Sequence, residues 1–248
     1  MPVEVVYKTD VLRSLRKELL VLQGFKKPVC ERHISVGLGF MEKSFPHDVF
    51  PTGAVHDFVS DNFSNAAATN GFISGVMGNL FKNAQKINAV WVNASNKIFP
   101  TALKLFGIDP HHIIFVNARN PKDVLWVIEE ALKCSCLTAI VGELQDIDFT
   151  ASRRLQLAVE KSGVTAFIHR QNPKSKNPVA CVASWKINSV KSIPQNMPGL
   201  GFARWNVELT KVRNGTPGNW LVEWQAGHFK EIKNQLKAIS SHRELKVS

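Results

Sequence analysis

The segment best suited to hold a phosphate group runs from Ser60 to Thr69, between a predicted strand and a predicted helix. Amides at a helix amino terminus attract anions, and phosphate-binding loops add glycines and a lysine to them. This loop contains no glycine, and no lysine or arginine occurs from Ser44 to Phe81. A triphosphate would therefore lack a nearby cation. The sequence predicts a degenerate phosphate loop and no nucleotide cofactor. Two possibilities stay open: that the helix amino terminus binds a lone anion, and that the Thr69 hydroxyl binds a metal. The positions concerned are Ser60, Asn65, Ala66, Ala67 and Thr69.

The chain is strongly basic, with a formal net charge of +11 and a sequence pI near 9.6. Such a balance favours polyanionic partners, nucleic acid first and an anionic membrane second. Arg153 and Arg154 lie in the first turns of a predicted helix, where a guanidinium could contact a DNA phosphate or an acidic partner. The alternative is a structural role, with the arginines paired to acids such as Asp148 or Glu160.

A second basic group is predicted on strands near the carboxyl terminus. Lys211 and Arg213 alternate with Val212, so both cations would emerge on one face of a strand. Lys186, on a possible neighbouring strand, would extend them into a basic stripe, although a solvated outer face explains the same pattern. The DNA-binding or partner-binding candidates are thus Arg153, Arg154, Lys186, Lys211 and Arg213.

Catalytic chemistry has little support in the sequence. No Gly-x-Ser-x-Gly elbow occurs, and Glu143 and His169, at predicted strand ends, lack a phosphate-gripping loop beside them. The histidines and cysteines have no metal-ligand spacing, so no metal site is predicted. We interpret the four cysteines as reduced, mostly buried thiols. No catalytic residue is assigned, and the protein is predicted not to be an enzyme.

The elements that position these residues follow an alternating pattern. From Gly53 to His169 predicted strands alternate with helices, which is typical of a parallel sheet covered on both faces. After Gln171 strands follow one another without helices, and they indicate an antiparallel extension. The predicted fold class is α/β, a doubly wound, mostly parallel sheet with an antiparallel carboxy-terminal extension. The predicted organisation is an amino-terminal helix within 1–29, one domain over 30–229, and a polar tail or helix over 230–248.

No apolar run is long enough to cross a bilayer, and the amino terminus lacks the layout of a secretion signal. We therefore expect a cytoplasmic protein without a membrane partner.

The order of these pieces resembles RecA over about residues 30–229. Thr138 to Leu144 lies where that family has its metal-holding acidic strand, with Glu143 as the carboxylate near its end. Ala166 to Gln171 is similar to the strand that ends in a nucleotide-sensing glutamine. The strand from Gly53 to Val59 leads into the loop that has lost its glycines and lysine.

A closer resemblance is to the ImuA family, RecA-like accessory proteins of bacterial mutagenesis cassettes. It is carried by long strings spread over most of the chain. They are Val49 to Phe58, Phe106 to Pro110, Asp123 to Trp126, Glu129 to Lys133, Phe149 to Glu160, and Arg204 to Leu209 followed by Lys211 to Gly215.

The resemblance implies a role in the SOS response to DNA damage, in error-prone synthesis across lesions. It implies an ImuB-like protein and an error-prone DNA polymerase as partners, with RecA and single-stranded DNA as further candidates. The expected function is therefore a non-catalytic adaptor. Two alternatives stay open: a cell-division inhibitor of the SulA type, and an active RecA-like DNA-dependent ATPase with a divergent loop.

Overall fold

The computed structural model describes residues 36–84, 86–93, 98–175, 177–194 and 201–232. The helix predicted within 1–29 and all but the first residues of the 230–248 segment lie outside these ranges. The described residues form one nine-stranded sheet whose strand order is β3-β2-β4-β5-β1-β6-β7-β8-β9.

The parallel part of the sheet consists of its first six strands in chain order. Each pairs in parallel with its neighbours in the order β3-β2-β4-β5-β1-β6. Because parallel neighbours require crossover connections, helices lie between most of these strands in the chain. The bounds of the six strands are Val55–Ser60 (β1), Ala89–Asn93 (β2), Ile113–Asn117 (β3), Ala139–Leu144 (β4), Thr165–Gln171 (β5) and Ala183–Val190 (β6).

The antiparallel part continues from β6 through β7, β8 and β9, each paired antiparallel with the strand before it. A β-bulge interrupts the β6–β7 pairing between Ser184 and Trp185, opposite Leu209 to Lys211. The bounds of these strands are Arg204–Val212 (β7), Gly218–Gln225 (β8) and His228–Glu231 (β9). The predicted fold class, a doubly wound α/β sheet with an antiparallel carboxy-terminal extension, is thus confirmed.

Three α-helices are described: Phe63–Asn83 (α1), Pro121–Leu132 (α2) and Phe149–Ser162 (α3). Helix α2 begins as the sequence predicts, with the Asn120 side chain accepting from the amide of Lys122 and Pro121 in the first turn. Short 3-10 helices run over Gly39–Ser44, Pro46–Asp48, Pro100–Phe106 and Pro110–His112. No described helix is long and apolar enough to span a membrane.

The sheet has a hydrophobic core on each face. One core lies between the sheet and α1 and includes Trp91, Phe58 and Trp185. The other lies under α2 and α3 and includes Ile128, Leu155 and Ile168. The two faces alternate along each strand, so side chains next to each other in sequence enter different cores.

Helix α1 is buried along most of its length because the antiparallel extension folds onto it. Its glycines make room for that contact: a Cβ on Gly75 would lie 2.7 Å from the ring of Phe229 and 2.9 Å from that of Trp224. At Gly78 a Cβ would lie 2.1 Å from the carbonyl oxygen of Phe106. Glycine inside a helix costs about 1 kcal/mol relative to alanine. Glycine is nevertheless present at these positions because the aromatic residues approach α1 too closely to leave room for a Cβ.

Several predicted boundaries differ from the observed ones by a few residues. Strand β1 begins at Val55 and not at Gly53, and α1 begins at Phe63 and not at Asn65. Strand β6 begins at Ala183, four residues after the predicted Val179. Strand β9 was not predicted, because its four residues mix polar and apolar side chains and are set by pairing with β8.

Candidate functional site

The turn between β1 and α1 is the place where a phosphate loop would lie, and it consists of two residues. Strand β1 ends at Ser60 and α1 begins at Phe63, so Asp61 and Asn62 are the whole connection. The Asn62 side chain accepts from the amide of Asn65 at 2.9 Å, and the Asn62 carbonyl accepts from the amide of Ala66. Two of the amides at the helix terminus are therefore used by the chain itself.

The same turn is tied to strand β6 by side chains. Asn65 donates from Nδ2 to Oδ1 of Asn188 at 3.0 Å and accepts from the amide of Ser189 at 3.0 Å. Lys186 Nζ lies 2.6 Å from Oδ2 of Asp61. The candidate cation Lys186 is thus placed beside this turn, and its charge is balanced by Asp61.

The hydroxyl of Thr69 does not face the turn. Thr69 is fully buried, and its Oγ1 donates to the carbonyl of Asn65 at 2.7 Å, one helical turn back. Ala67 is exposed and Ala66 half-buried, in the first turns of α1. Ser60 ends β1 and the other four loop positions are spread along the first turns of α1, so the five do not line a common cradle.

A buried polar network crosses the carboxyl ends of the parallel strands on the α1 face. At its centre is Glu143, at the end of β4 and 3% exposed. Its Oε1 accepts from Trp91 Nε1 at 2.9 Å and from Asn70 Nδ2 at 3.0 Å, and its Oε2 accepts from Gln171 Nε2 at 2.7 Å. A carboxylate that receives three such donors is well stabilised in a buried position.

The network continues from Asn70 to His169 and Ser60. Oδ1 of Asn70 lies 2.7 Å from Nδ1 of His169, whose Nε2 lies 2.9 Å from the Ser60 hydroxyl. Because Asn70 uses its amide nitrogen on Glu143, its oxygen faces the imidazole and can only accept. His169 therefore carries its proton on Nδ1, and Ser60 donates to Nε2.

Burial lowers the pKa of His169 to about 3, because water no longer solvates the charged imidazolium. The ring is neutral at physiological pH. The Ser60–His169–Asn70 arrangement has the bonding order of a nucleophile, a base and an orienting group, but Ser60 and His169 are buried, at 2% and 0% exposed. A histidine with such a low pKa is a poor base at neutral pH.

The opposite face of β1 and β5 carries a buried ion pair. Arg170 donates from Nε to Oδ1 of Asp57 at 2.8 Å and from Nη2 to Oδ2 at 2.7 Å. The hydroxyl of Ser184 on β6 donates to the same carboxylate at 3.0 Å. The ion pair and Ser184 together link β5, β1 and β6, on the opposite face of the sheet from the network of Glu143.

Arg153 and Arg154 lie on the exposed face of α3. Arg153 donates to Gln156 Oε1 at 2.9 Å, and Gln156 in turn donates to Glu160 at 3.1 Å. Arg154 Nη2 lies 3.3 Å from Oε2 of Glu129 on α2. Arg153 is thus linked to Glu160 through Gln156. Asp148 caps α3 by accepting from the amide of Ala151.

Lys211 and Arg213 do not share one strand face. Lys211 lies on β7 opposite Ser184, on the sheet face that also carries Lys186. Arg213 follows the end of β7 in a turn, where its amide donates to the carbonyl of Val182 at 2.7 Å. Lys186 itself lies opposite Glu208. The candidate cations therefore occupy two regions, α3 and the β6–β7 face.

Exposed apolar side chains mark two other surfaces. Strand β3 pairs only with β2 among the described strands, and its Ile114 and Phe115 are 62% and 37% exposed. Phe63, the first residue of α1, is 72% exposed. Sequence reasoning did not single out Ile114 and Phe115, because an apolar strand is normally assigned to the core.

The interpretation of the cysteines as mostly buried is wrong for two of them. Cys134 and Cys136 are exposed, in the connection between α2 and β4, and Cys181 is half-buried. Burial raises the pKa of the Cys181 thiol to about 12. The exposed pair escaped attention because its spacing, Cys-x-Cys, differs from the usual dithiol motif.

Sequence reasoning identified Glu143, His169 and Gln171 at strand ends but missed Asn70 and Trp91. The available signal for Asn70 was a polar residue in a helix whose neighbouring positions are apolar or small. Trp91 gave no signal, because a tryptophan in a buried strand is ordinary core.

The strand order, the helix α1 rising from β1, and the buried carboxylate at the end of β4 define a RecA-like α/β protein with a closed first turn. No protein-family model matches the chain. Protein ImuA of Caulobacter vibrioides, in strain NA1000 / CB15N and in strain ATCC 19089 / CIP 103742 / CB 15, is 31% identical over 222 residues. The match covers 84% of this chain and 91% of each relative. The chain belongs to the ImuA family.

Proposed function

We propose that this protein is a non-catalytic, cytoplasmic adaptor for error-prone DNA synthesis past lesions during the SOS response to DNA damage. It binds an ImuB-type polymerase relative, and through it an error-prone DNA polymerase. Membership of the ImuA family supports the pathway. The observation that carries the non-catalytic part is the two-residue turn between β1 and α1.

A nucleotide site at this position needs free amides, room and a cation. The turn offers few free amides, because Asn62 occupies that of Asn65 and the helix begins directly after Asn62. The cation that contacts the turn, Lys186, is paired with Asp61. Behind the turn, Glu143 is held by three protein donors, so binding a metal there would require breaking those bonds.

A fluorescent ATP analogue tests this part of the proposal. We expect no saturable binding and no hydrolysis with or without single-stranded DNA, while RecA in the same buffer binds and hydrolyses ATP. Turnover that depends on DNA would show that the protein is an active RecA-like ATPase and would end the adaptor proposal.

The partner surface that we propose is the edge strand β3. An edge strand has an unpaired row of amides and carbonyls, to which an extended segment of a partner can add. The exposed Ile114 and Phe115 give such a strand apolar anchors. Natural sheets usually protect edges with charge, and the side chains of Ile113–Asn117 include none.

Co-purification with the ImuB-type protein tests the partner and its site together. We expect a complex that does not change with ATP, and its loss with Ile114→Lys. Leu157→Lys is the matched control, because Leu157 is also an exposed apolar residue, 44% exposed, but lies on α3. Equal weakening by both variants, or by neither, contradicts the edge-strand site; no complex with the unmodified protein contradicts the adaptor role.

Contact with RecA or single-stranded DNA is a further part of the proposal. Its candidates are Arg153 and Arg154 on α3, and Lys186, Lys211 and Arg213 near β6 and β7. We expect Lys211→Ala with Arg213→Ala to weaken single-stranded DNA binding in fluorescence anisotropy, and to reduce its salt dependence, because phosphate contacts release counterions. If binding does not change, the β6–β7 face does not contact DNA.

A further inference from the structure

The connection between α2 and β4 places two exposed thiols side by side. The Sγ atoms of Cys134 and Cys136 lie 2.7 Å apart, and both residues are exposed. Two sulfurs that do not interact keep a larger separation, so the turn brings these atoms within reach of a covalent bond. Neither thiol takes part in the network or in the proposed partner surface.

The turn that holds the thiols is fixed by hydrogen bonds. The amide of Leu137 donates to the carbonyl of Cys134 at 3.1 Å, which closes a β-turn with Cys136 inside it. Lys86 Nζ donates to the carbonyl of Ser135 at 2.7 Å, and the amide of Thr138 donates to the carbonyl of Asn88 at 2.8 Å. The segment before β2 therefore keeps the turn in its folded shape.

We propose that Cys134 and Cys136 form a dithiol modification site that low-molecular-weight disulfides, of the glutathione class, oxidise reversibly to an intramolecular disulfide. The inference does not depend on the adaptor function. Cys181 gives a contrast within the same chain, because its thiol is half-buried and has no cysteine beside it among the described residues.

The two thiols have different roles in the exchange. The hydrogen bond between the two thiols lowers the pKa of Cys134 and raises the pKa of Cys136. The Cys134 thiolate attacks one sulfur of the small disulfide; a bond forms between them, the disulfide bond breaks, and a thiolate leaves. Cys136 then gives its proton to solvent and attacks Sγ of Cys134, which expels the second small thiolate. The protein loses two thiol hydrogens, and one disulfide is reduced to two thiols.

The ring that closes between residues two apart is small and strained. Such disulfides have a higher reduction potential than those that close long loops. We therefore expect oxidation only where the small disulfide exceeds the small thiol, and rapid return to the dithiol when the thiol is added.

The test incubates the full chain in glutathione buffers of increasing oxidised fraction, followed by acid quenching, alkylation and mass analysis of the intact protein and its peptides. The unmodified protein should lose two hydrogens, on the peptide that contains Cys134 and Cys136. Cys136→Ser should instead accumulate a glutathione adduct on Cys134, and Cys134→Ser should react more slowly. Cys181→Ala should behave as the unmodified protein does.

Peptide mapping separates this pair from Cys30, so reaction elsewhere does not obscure the result. The proposal is overturned if the unmodified protein carries as much glutathione adduct on Cys134 as Cys136→Ser does. It is also overturned if both thiols stay fully alkylated in a buffer that oxidises a Cys-Ser-Cys peptide. The unmodified protein decides the question even if a variant does not fold.

Discussion

Arg170 holds Asp57 by two parallel hydrogen bonds, of 2.8 and 2.7 Å, in the interior of the sheet. The side chains are 8% and 2% exposed, so each charge depends on the other for its solvation. Burial acts to lower the pKa of Arg170, and the hydrogen bonds to Asp57 reverse this and keep it raised.

Removal of one partner of this pair should destabilise the protein strongly. We expect Arg170→Met or Asp57→Leu to cost about 3–5 kcal/mol, because the remaining charge is buried without a partner. The double variant should cost less than the sum of the two, as measured by urea unfolding. Arg154→Met, at a more exposed pair with Glu129, is the control and should cost at most about 1 kcal/mol. Additive losses at Arg170 and Asp57 would contradict the pairing.

Glu143→Gln should weaken the network at the carboxyl ends of the strands. The substitution places an amide donor among three donors, from Trp91, Asn70 and Gln171. We expect a loss of about 2 kcal/mol in the free energy of unfolding, because hydrogen bonds to a charged group are lost. Glu129→Gln, on the surface, should change the free energy of unfolding little. If Glu143→Gln is as stable as the unmodified protein, the carboxylate is not the centre of a stabilising network.

Stability should fall as the pH decreases from 7.5 to 5. Burial lowers the pKa of His56 to about 4 and that of His169 to about 3, against 6.5 for an exposed histidine. Below pH 6.5 the unfolded chain binds protons that the folded chain does not, so unfolding becomes easier. Each histidine should contribute about 2 kcal/mol of this loss at pH 5. Urea unfolding at several pH values measures it.

His169→Gln is the variant that checks the assignment of this pH dependence. It removes one of the two titrating groups, so the slope of stability against pH should decrease by roughly half. An unchanged slope would mean that His169 is not held neutral by burial.

Substitution of the α1 glycines should give a graded response. At Gly78 a Cβ would lie 2.1 Å from a backbone oxygen, which cannot move away easily, and we expect Gly78→Ala to cost about 2–3 kcal/mol. At Gly71 the nearest atom is in the Trp205 ring at 3.1 Å, and the better helix propensity of alanine offsets the contact. Gly71→Ala should therefore lie within about 1 kcal/mol of the unmodified protein. Equal thermal unfolding of both variants would contradict the close approach at Gly78.

Much of the fold follows from local patterns in the sequence. Asn120 and Pro121 start α2, Asp148 caps α3, and Gly163 ends α3 with a positive φ, all as residue types dictate. Alternation of apolar strands and helices was sufficient to predict a parallel sheet. The absence of glycine and lysine from residues 60–69 was also evident, because it concerns a contiguous segment.

Contacts between distant residues could not be predicted in the same way. Asn70 and Glu143 are 73 residues apart, and His169 and Asn70 are 99 apart. Their hydrogen bonds depend on which strands are neighbours, and periodicity gives the type of an element but not its place in the sheet. The pairing of Lys186 with Asp61 and the exposure of Ile114 follow from the same strand order.

The sequence by itself thus determined the class of fold, the starts of α2 and α3, and the absence of glycine and lysine from residues 60–69, because those depend on neighbours along the chain. Only the tertiary structure decided how β1 is joined to α1: by a two-residue turn capped by Asn62, with a network centred on Glu143 behind it. The physical reason is that burial and hydrogen bonding are properties of atoms brought together in space. Four strands, β1, β2, β4 and β5, and helix α1 had to pack before those atoms met.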